Sequence, residues 1–179
     1  MKEIRFHGRG GQGVVTAAEI LAVSAFYDGK YSQAFPVFGT ERRGAPVTAF
    51  SRIDDEFIRI RSQIYEPDYI VVQDPSLLDV IDVAEGLKSD GKIIVNTEKS
   101  PKKLGLKIKA EIRTINATKI ALEELGRPIV NTTMLGAFVA LTKEVSLESL
   151  EKAVSRRFPE KLASKNLKAV QAAYKLSQD

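Results

Sequence analysis

Six residues constrain the fold of this chain more than any others: Gly8-Arg9-Gly10-Gly11-Gln12-Gly13 stand between an alternating apolar run and a helical one. Ile4 and Phe6 alternate with polar neighbours over residues 2–7, the period of a strand. Val14, Ala17, Ala18, Leu21, Ala22, Ala25 and Phe26 then recur at helical spacing over residues 14–26. A strand that turns through glycines directly into a helix needs a backbone that reverses sharply without a Cβ in the way. That junction points to an α/β layout.

The rest of the chain continues the pattern. Residues 31–35 read as a short strand stopped by Pro36, and residues 47–53 and 57–61 as an antiparallel hairpin joined through Asp54 and Asp55. Residues 69–72 form a continuous apolar run, the mark of a strand covered on both faces. Asp74 followed by Pro75 predicts a helix start, with the helix running towards Leu87. Residues 91–96 and 112–115 are two further strands. Helices follow over residues 118–125, 129–141, 146–158 and 163–176. Alternating strands and helices predict an α/β fold, a three-layer Rossmann-like sandwich with helices on both faces of a mostly parallel, mixed sheet, an antiparallel hairpin and a helical carboxyl-terminal part. No linker or repeat divides it, so residues 1–179 are expected to form a single domain.

Gly8, Gly10 and Gly13 match G-x-G-x-x-G in the strand-to-helix setting that pattern requires, which suits a phosphate-bearing ligand at the helix start. The competing explanation is close packing of helix on strand. A nicotinamide dinucleotide also needs an acidic residue about 20 positions further on, at the end of the second strand. Here that strand offers Tyr31, Ser32 and Gln33, and Glu41 lies beyond Pro36, so the dinucleotide loses support. Residues 86–92 have the spacing of a triphosphate-binding loop, but Ile93 stands where a magnesium-binding hydroxyl belongs. A second unusual segment, residues 35–46, carries Phe35, Phe38, Arg42, Arg43 and Gly44: apolar anchors beside forked donors for phosphate or carboxylate. Its plain alternative is a surface loop with solvated arginines. His7 beside the turn reads as a packing residue rather than a general base.

Composition removes whole classes of chemistry. The 179 residues include no cysteine and one histidine, which excludes a disulfide framework, a thiolate nucleophile, a cysteine-held zinc or iron–sulfur site and a histidine-built metal site on this chain. With 27 basic and 23 acidic side chains, the net charge of +4 is too small to argue for nucleic acid. No run approaches the roughly 18 apolar residues of a spanning helix, and no apolar segment follows the first basic residues. No membrane association and a cytoplasmic location are the expectations.

The blocks FHGRGGQGVVTAAEILA, GKYSQAFPVFGTERRGAPVTAFSRI, RSQIYEPDYIVVQDPSLL and RPIVNTTMLGAFVAL together resemble the gamma subunit of 2-oxoacid:ferredoxin oxidoreductases, of the pyruvate or branched-chain (2-ketoisovalerate) type. In the 2-oxoglutarate type the arginine loop carries a Tyr-Gly-Pro-Glu pattern and a Gly-Gly pair. Here it reads Phe38-Gly39-Thr40-Glu41 and Gly44-Ala45, which favours pyruvate. The resemblance implies oxidative decarboxylation of a 2-oxoacid to acyl-coenzyme A, with electrons passed to ferredoxin. It implies alpha, beta and delta partner subunits, with thiamine diphosphate, magnesium and iron–sulfur clusters on those partners and coenzyme A contacted by this chain. It implies no catalytic residue and no metal ligand on this chain. Carried over to this sequence, Gly8, Arg9, Gly10, Gly11, Gln12 and Gly13 fall at coenzyme A, with Arg42, Arg43 and Gly44 beside them or at a subunit interface. Two other classes stand against it. A free-standing nucleotide-dependent oxidoreductase would bind NAD or NADP as the isolated chain, and a nucleic-acid or scaffold protein would bind through the basic carboxyl-terminal helices in a strongly salt-dependent way.

Overall fold

The computed structural model describes residues 1–37 and 44–178. Among them, β1 (Lys2–Arg9), β2 (Tyr31–Pro36), β3 (Pro46–Asp54), β4 (Tyr69–Val72), β5 (Lys92–Asn96) and β6 (Glu111–Ile115) form one sheet in the order β2-β3-β1-β4-β5-β6. β1 is central, antiparallel to β3 and parallel to β4, and β5 and β6 continue in parallel. β2 is an edge strand, antiparallel to β3. The sheet is therefore mixed and mostly parallel, and its hairpin is formed by β2 and β3.

The helices α1 (Val14–Tyr27), α2 (Ala117–Leu125), α3 (Asn131–Thr142), α4 (Leu147–Arg157) and α5 (Glu160–Leu176) gather on one face, over Ile4, Phe6, Ala49, Val71 and Ile94. α1 and α3 are apolar almost all the way round because each is wedged between the sheet and other helices. Tyr69 on β4 meets Phe138 on α3 edge-to-face at 5.5 Å. The Asp28 carboxylate just past α1 accepts from the Ser146 amide and from the Ser146 and Ser149 hydroxyls, each at 2.6 Å, tying the end of α1 to the start of α4. No helix among the described residues is long and apolar enough to cross a membrane.

The third layer differs from the expected helices. Ile70, Val72, Ile93 and Val95 are covered by irregular chain that brings in Leu77, Val83, Leu104 and Ile108 and contains only the short 3-10 turns Pro75–Asp79 and Pro101–Lys103. The helix expected from Pro75 to Leu87 ends at Asp79, although Asp74 caps it and Pro75 opens it as anticipated. Further on, the guanidinium of Arg5 takes the carbonyls of Val83 and Glu85, the first of which a helix continuing to Leu87 would need for its own ladder. The expected strand over residues 57–61 is likewise absent. β3 already pairs with β1 on one edge and β2 on the other, so no edge remains for it. Instead Arg52 Nη2 donates to the Ser62 carbonyl at 2.8 Å and Gln33 Nε2 to the Ile58 carbonyl at 3.1 Å, and these bonds hold that segment.

His7, the single histidine, lies in the same polar layer, 5 % exposed, with Nε2 accepting from Arg5 Nε at 3.1 Å. Burial, reinforced by the neighbouring Arg5 charge, pushes its pKa down to about 3. In the unfolded chain the imidazole takes a proton near its ordinary 6.5, so between 6.5 and about 3 the unfolded state binds more protons. The contribution of His7 is complete above about pH 6.5 and is lost as pH falls, at up to about 1.4 kcal/mol per pH unit. Urea titrations at pH 7.5 and 5.0 should show the wild type losing about 2 kcal/mol more than His7→Gln across that interval. The imidazole C2 proton should keep one NMR shift from pH 8 to pH 5; titration near 6.5 would mean that the ring is solvated.

Candidate functional site

The chain leaves β1 through α1 on the helical face, whereas β4 connects to β5 across the opposite face. The two connections diverge between the carboxyl ends of β1 and β4, and an open α/β sheet forms its ligand crevice at such a point. One lip is the glycine turn, residues 8–13. The other is Gln73-Asp74-Pro75-Ser76, and the start of β3 with Gly44 and Ala45 makes a third.

Side chains bind the lips together. Gln12 Oε1 accepts from the Arg9 amide at 2.7 Å while its Nε2 donates to Asp74 Oδ2 at 2.8 Å. The Arg9 guanidinium lies 3.3 Å from Asp74 Oδ2, donates to the Ser76 hydroxyl at 2.8 Å and to the Gly44 carbonyl at 3.0 Å. Gly10 N donates to Ala45 O at 2.9 Å and Gly44 N to Gly10 O at 3.1 Å. Burial opposes ionisation of Asp74, but hydrogen bonds from Ser76 and Gln12 and the Arg9 charge outweigh it and hold the carboxyl below its usual range. Asp74 is thus an anionic hub, and Arg9 and Gln12 serve the crevice through it. Of the residues singled out from the sequence, Gly8 to Gly13 and Gly44 come together here. Arg42 and Arg43 lie outside the described residues.

Each glycine has its own reason. A Cβ on Gly8 would stand 2.5 Å from Val14 Cγ2, and one on Gly13 2.5 Å from Asn131 Nδ2, so these two permit packing. Gly11 differs: its φ of +94° disfavours a side chain, yet a Cβ there would meet nothing within 4 Å. It faces open space. α1 starts with no side-chain cap and no acidic residue in its first turn. Its first amides, Val14, Val15 and Thr16, and those of Gly11 and Gly13 have no protein acceptor among the described residues. Orphan amides at a helix start favour an anion.

Two residues that sequence reasoning passed over border the turn. Gln73, 1 % exposed at the end of β4, has neither amide atom paired among the described residues. Such a group costs about 1–3 kcal/mol unless water or a ligand meets it. Asn131 opens α3 and donates through Nδ2 to the Gly13 carbonyl at 3.4 Å. A polar residue directly after the apolar run 69–72 was a usable signal for Gln73. Nothing local marks Asn131, which is 118 residues from its partner. Beside Pro75, a cavity of about 620 Å³ opens along the ends of β5 and β6, with Asn96, Thr97, Lys99, Thr118 and Lys119 among its lining residues. His7 does not reach the crevice as a base: burial, reinforced by Arg5, holds its ring neutral on the far face.

Residues 3–176 match the family model described as pyruvate ferredoxin/flavodoxin oxidoreductase. The chain is 60% identical over 174 residues to pyruvate synthase subunit PorC of Methanocaldococcus jannaschii, covering 97% of this chain and 96% of that one. It is 59% identical over 177 residues to the pyruvate/ketoisovalerate oxidoreductases common subunit gamma of Thermococcus litoralis, with the same shares covered. Among solved structures, pyruvate oxidoreductase subunit PORC of Thermotoga maritima superposes with a TM-score of 0.87 at 42% identity, over 97% of this chain and 95% of that one. With the family model matched over residues 3–176, a relative 60% identical over nearly the full length and the fold in agreement, the chain belongs to the pyruvate ferredoxin/flavodoxin oxidoreductase family.

Proposed function

We propose that this chain is the gamma subunit of a pyruvate or branched-chain 2-oxoacid:ferredoxin oxidoreductase in the cytoplasm, a single domain that binds coenzyme A and covers the reaction site. The observation that carries the reading is the uncapped start of α1, opened to solvent by Gly11 at the divergence of the sheet connections. The names of its relatives, a pyruvate synthase subunit and a gamma subunit common to pyruvate and ketoisovalerate enzymes, support the substrate class.

The reaction joins the acyl group of a 2-oxoacid to coenzyme A, releases carbon dioxide and passes two electrons to ferredoxin. Thiamine diphosphate with magnesium supplies the carbanion chemistry, and iron–sulfur clusters the electron path, on alpha, beta and delta partners. A chain without cysteine, Gly-Asp-Gly or Asn-Asn fits that division, because it lacks the donors for both. Its own residues bind and exclude water. The amides of Gly11, Gly13 and Val14 are free to meet phosphate oxygens, and Arg9, Gln12 and Asp74 hold the lips at fixed spacing. Arg42 and Arg43 add charge at the ligand or at the subunit boundary, and Gly44, the next residue in sequence, donates to the Gly10 carbonyl.

A dinucleotide oxidoreductase is disfavoured on a specific ground. The second strand of a dinucleotide fold lies beside the first and carries the ribose-binding acid, whereas here β3 separates β2 from β1. Isothermal titration of the isolated chain should therefore show no NAD or NADP binding.

The isolated chain should not oxidise pyruvate with ferredoxin or an artificial acceptor; activity should require the partner subunits. In the assembled enzyme, Gly11→Asp places a negative charge at the helix start without a clash, and should raise the Michaelis constant for coenzyme A about tenfold. Gly11→Asn, of nearly the same shape, should raise it less. Decarboxylation without coenzyme A should be unchanged in both. Wild-type coenzyme A dependence in an intact Gly11→Asp complex would refute the assignment.

A further inference from the structure

The edge of the sheet opposite β6 carries apolar surface that the crevice does not use. On α1, Val23 is 40% and Phe26 69% exposed, and Tyr31 at the start of β2 is 49% exposed. Tyr31 packs edge-to-face at 5.8 Å on Phe57, itself 63% exposed. These side chains are contiguous. A groove of about 560 Å³ between α1 and α4 includes Val23, Phe26, Arg156 and Arg157, and a second of about 380 Å³ shares Phe26 and continues to Lys30 and Tyr31. A third, about 480 Å³, runs along β2 from Gln33 to Pro36 and is flanked by Arg61. Among the described residues β2 pairs with β3 alone, and its outer row of amides and carbonyls has no strand partner there.

Charge says what covers this strip. Arg61, Arg156, Arg157 and Lys30 line it against one carboxylate, Glu19, so the rim is net cationic, and none of the three arginines forms an ion pair with a carboxylate among the described residues. Two copies of the chain meeting about a two-fold axis would set this cationic rim against itself, since such an interface joins identical patches. A different chain with an apolar ridge flanked by aspartate or glutamate meets no such repulsion.

We propose that the α1–β2 edge is the docking surface for a partner subunit of the same enzyme, one that seats an apolar ridge on Phe26 and Tyr31 and sets carboxylates against Arg61, Arg156 and Arg157. The proposal rests on the reading of this chain as one subunit of a multi-subunit oxidoreductase. The partner covers the open row of β2, which removes an edge that an isolated domain leaves exposed to association.

The test is assembly of the full complex from separately purified subunits, followed by native mass spectrometry and a binding titration. Phe26→Glu should weaken association at least about tenfold while leaving the melting temperature of the free chain unchanged. Arg61→Glu with Arg156→Glu should weaken it and flatten its salt dependence. In the wild-type complex, amides 31–36 should gain protection from hydrogen exchange relative to the free subunit. Wild-type assembly by Phe26→Glu, or unchanged exchange in β2, overturns the proposal. So does a free-chain dimer that Phe26→Glu dissolves while hetero-assembly stays intact, because the occupant is then a second copy. Coenzyme A dependence measured on complex assembled at saturating variant should remain that of the wild type. A rise there bears on the crevice assignment and leaves the docking result to stand by itself.

Discussion

The central strand has two chemically different faces, and the asymmetry of the molecule follows from that. β1 turns Ile4 and Phe6 towards the helices and Arg5 and His7 towards the other side. An apolar face accepts helices, whose backbone polar groups are satisfied internally. A buried guanidinium needs acceptors, and Arg5 finds them in the carbonyls of Val83 and Glu85. Chain outside a helix interior leaves carbonyls free in that way. Arg52 on β3 repeats the arrangement with Ser62 and with Glu3, its Nε lying 2.8 Å from Glu3 Oε1. Removing either arginine would strand these carbonyls at about 1–3 kcal/mol for each buried group. The irregular layer is thus pinned by charge-assisted bonds over β1 and β3 as well as by apolar packing over β4 and β5.

The parts of the fold legible from the sequence were those whose signals are local. The alternation over Ile4 and Phe6, the glycine turn and the helical spacing from Val14 each lie within one element, and β1 and α1 appear where they point. The four carboxyl-terminal helices appear too, with ends shifted by at most three residues. The missed elements were decided at long range. Whether residues 57–61 could pair depended on β3 having both edges occupied, and one edge is taken by β1, about forty-five residues earlier in the chain. Whether the helix after Pro75 continued depended on Arg5, separated by 78 residues from Val83. Propensity at Pro75 was read correctly; a tertiary demand then overrode it.

The same division holds at the site. The glycines were visible because a turn of that kind needs them. Arg9 and Gln12 were visible only as neighbours of glycines, and in the structure both converge on Asp74, which the sequence marked merely as a helix cap. Gln73 and Asn131 could not be placed without the fold, since each meets the turn across the sheet or from another helix. A crevice whose lips are fixed by one carboxylate is preorganised, so little ordering cost is left to a ligand that meets the open amides of Gly11 and Val14.

Chain continuity links the two surfaces. β2 runs in the same direction as β1, and its end at Pro36 is level with Ala49 on β3 and Phe6 on β1, one turn below the glycine loop. The connection that leaves β2 at Val37, whose amide donates to Thr48 O at 2.9 Å, returns at Gly44, bonded to Gly10. A chain seated on the β2 edge would hold one end of that connection, and the glycine turn already holds the other. Arg42 and Arg43 belong to the segment between these two anchors. Docking at the β2 edge therefore acts on a connection whose far end is bonded to the glycine turn, so the two surfaces are coupled through the chain. This gives assembly a direct physical route to the lips of the crevice.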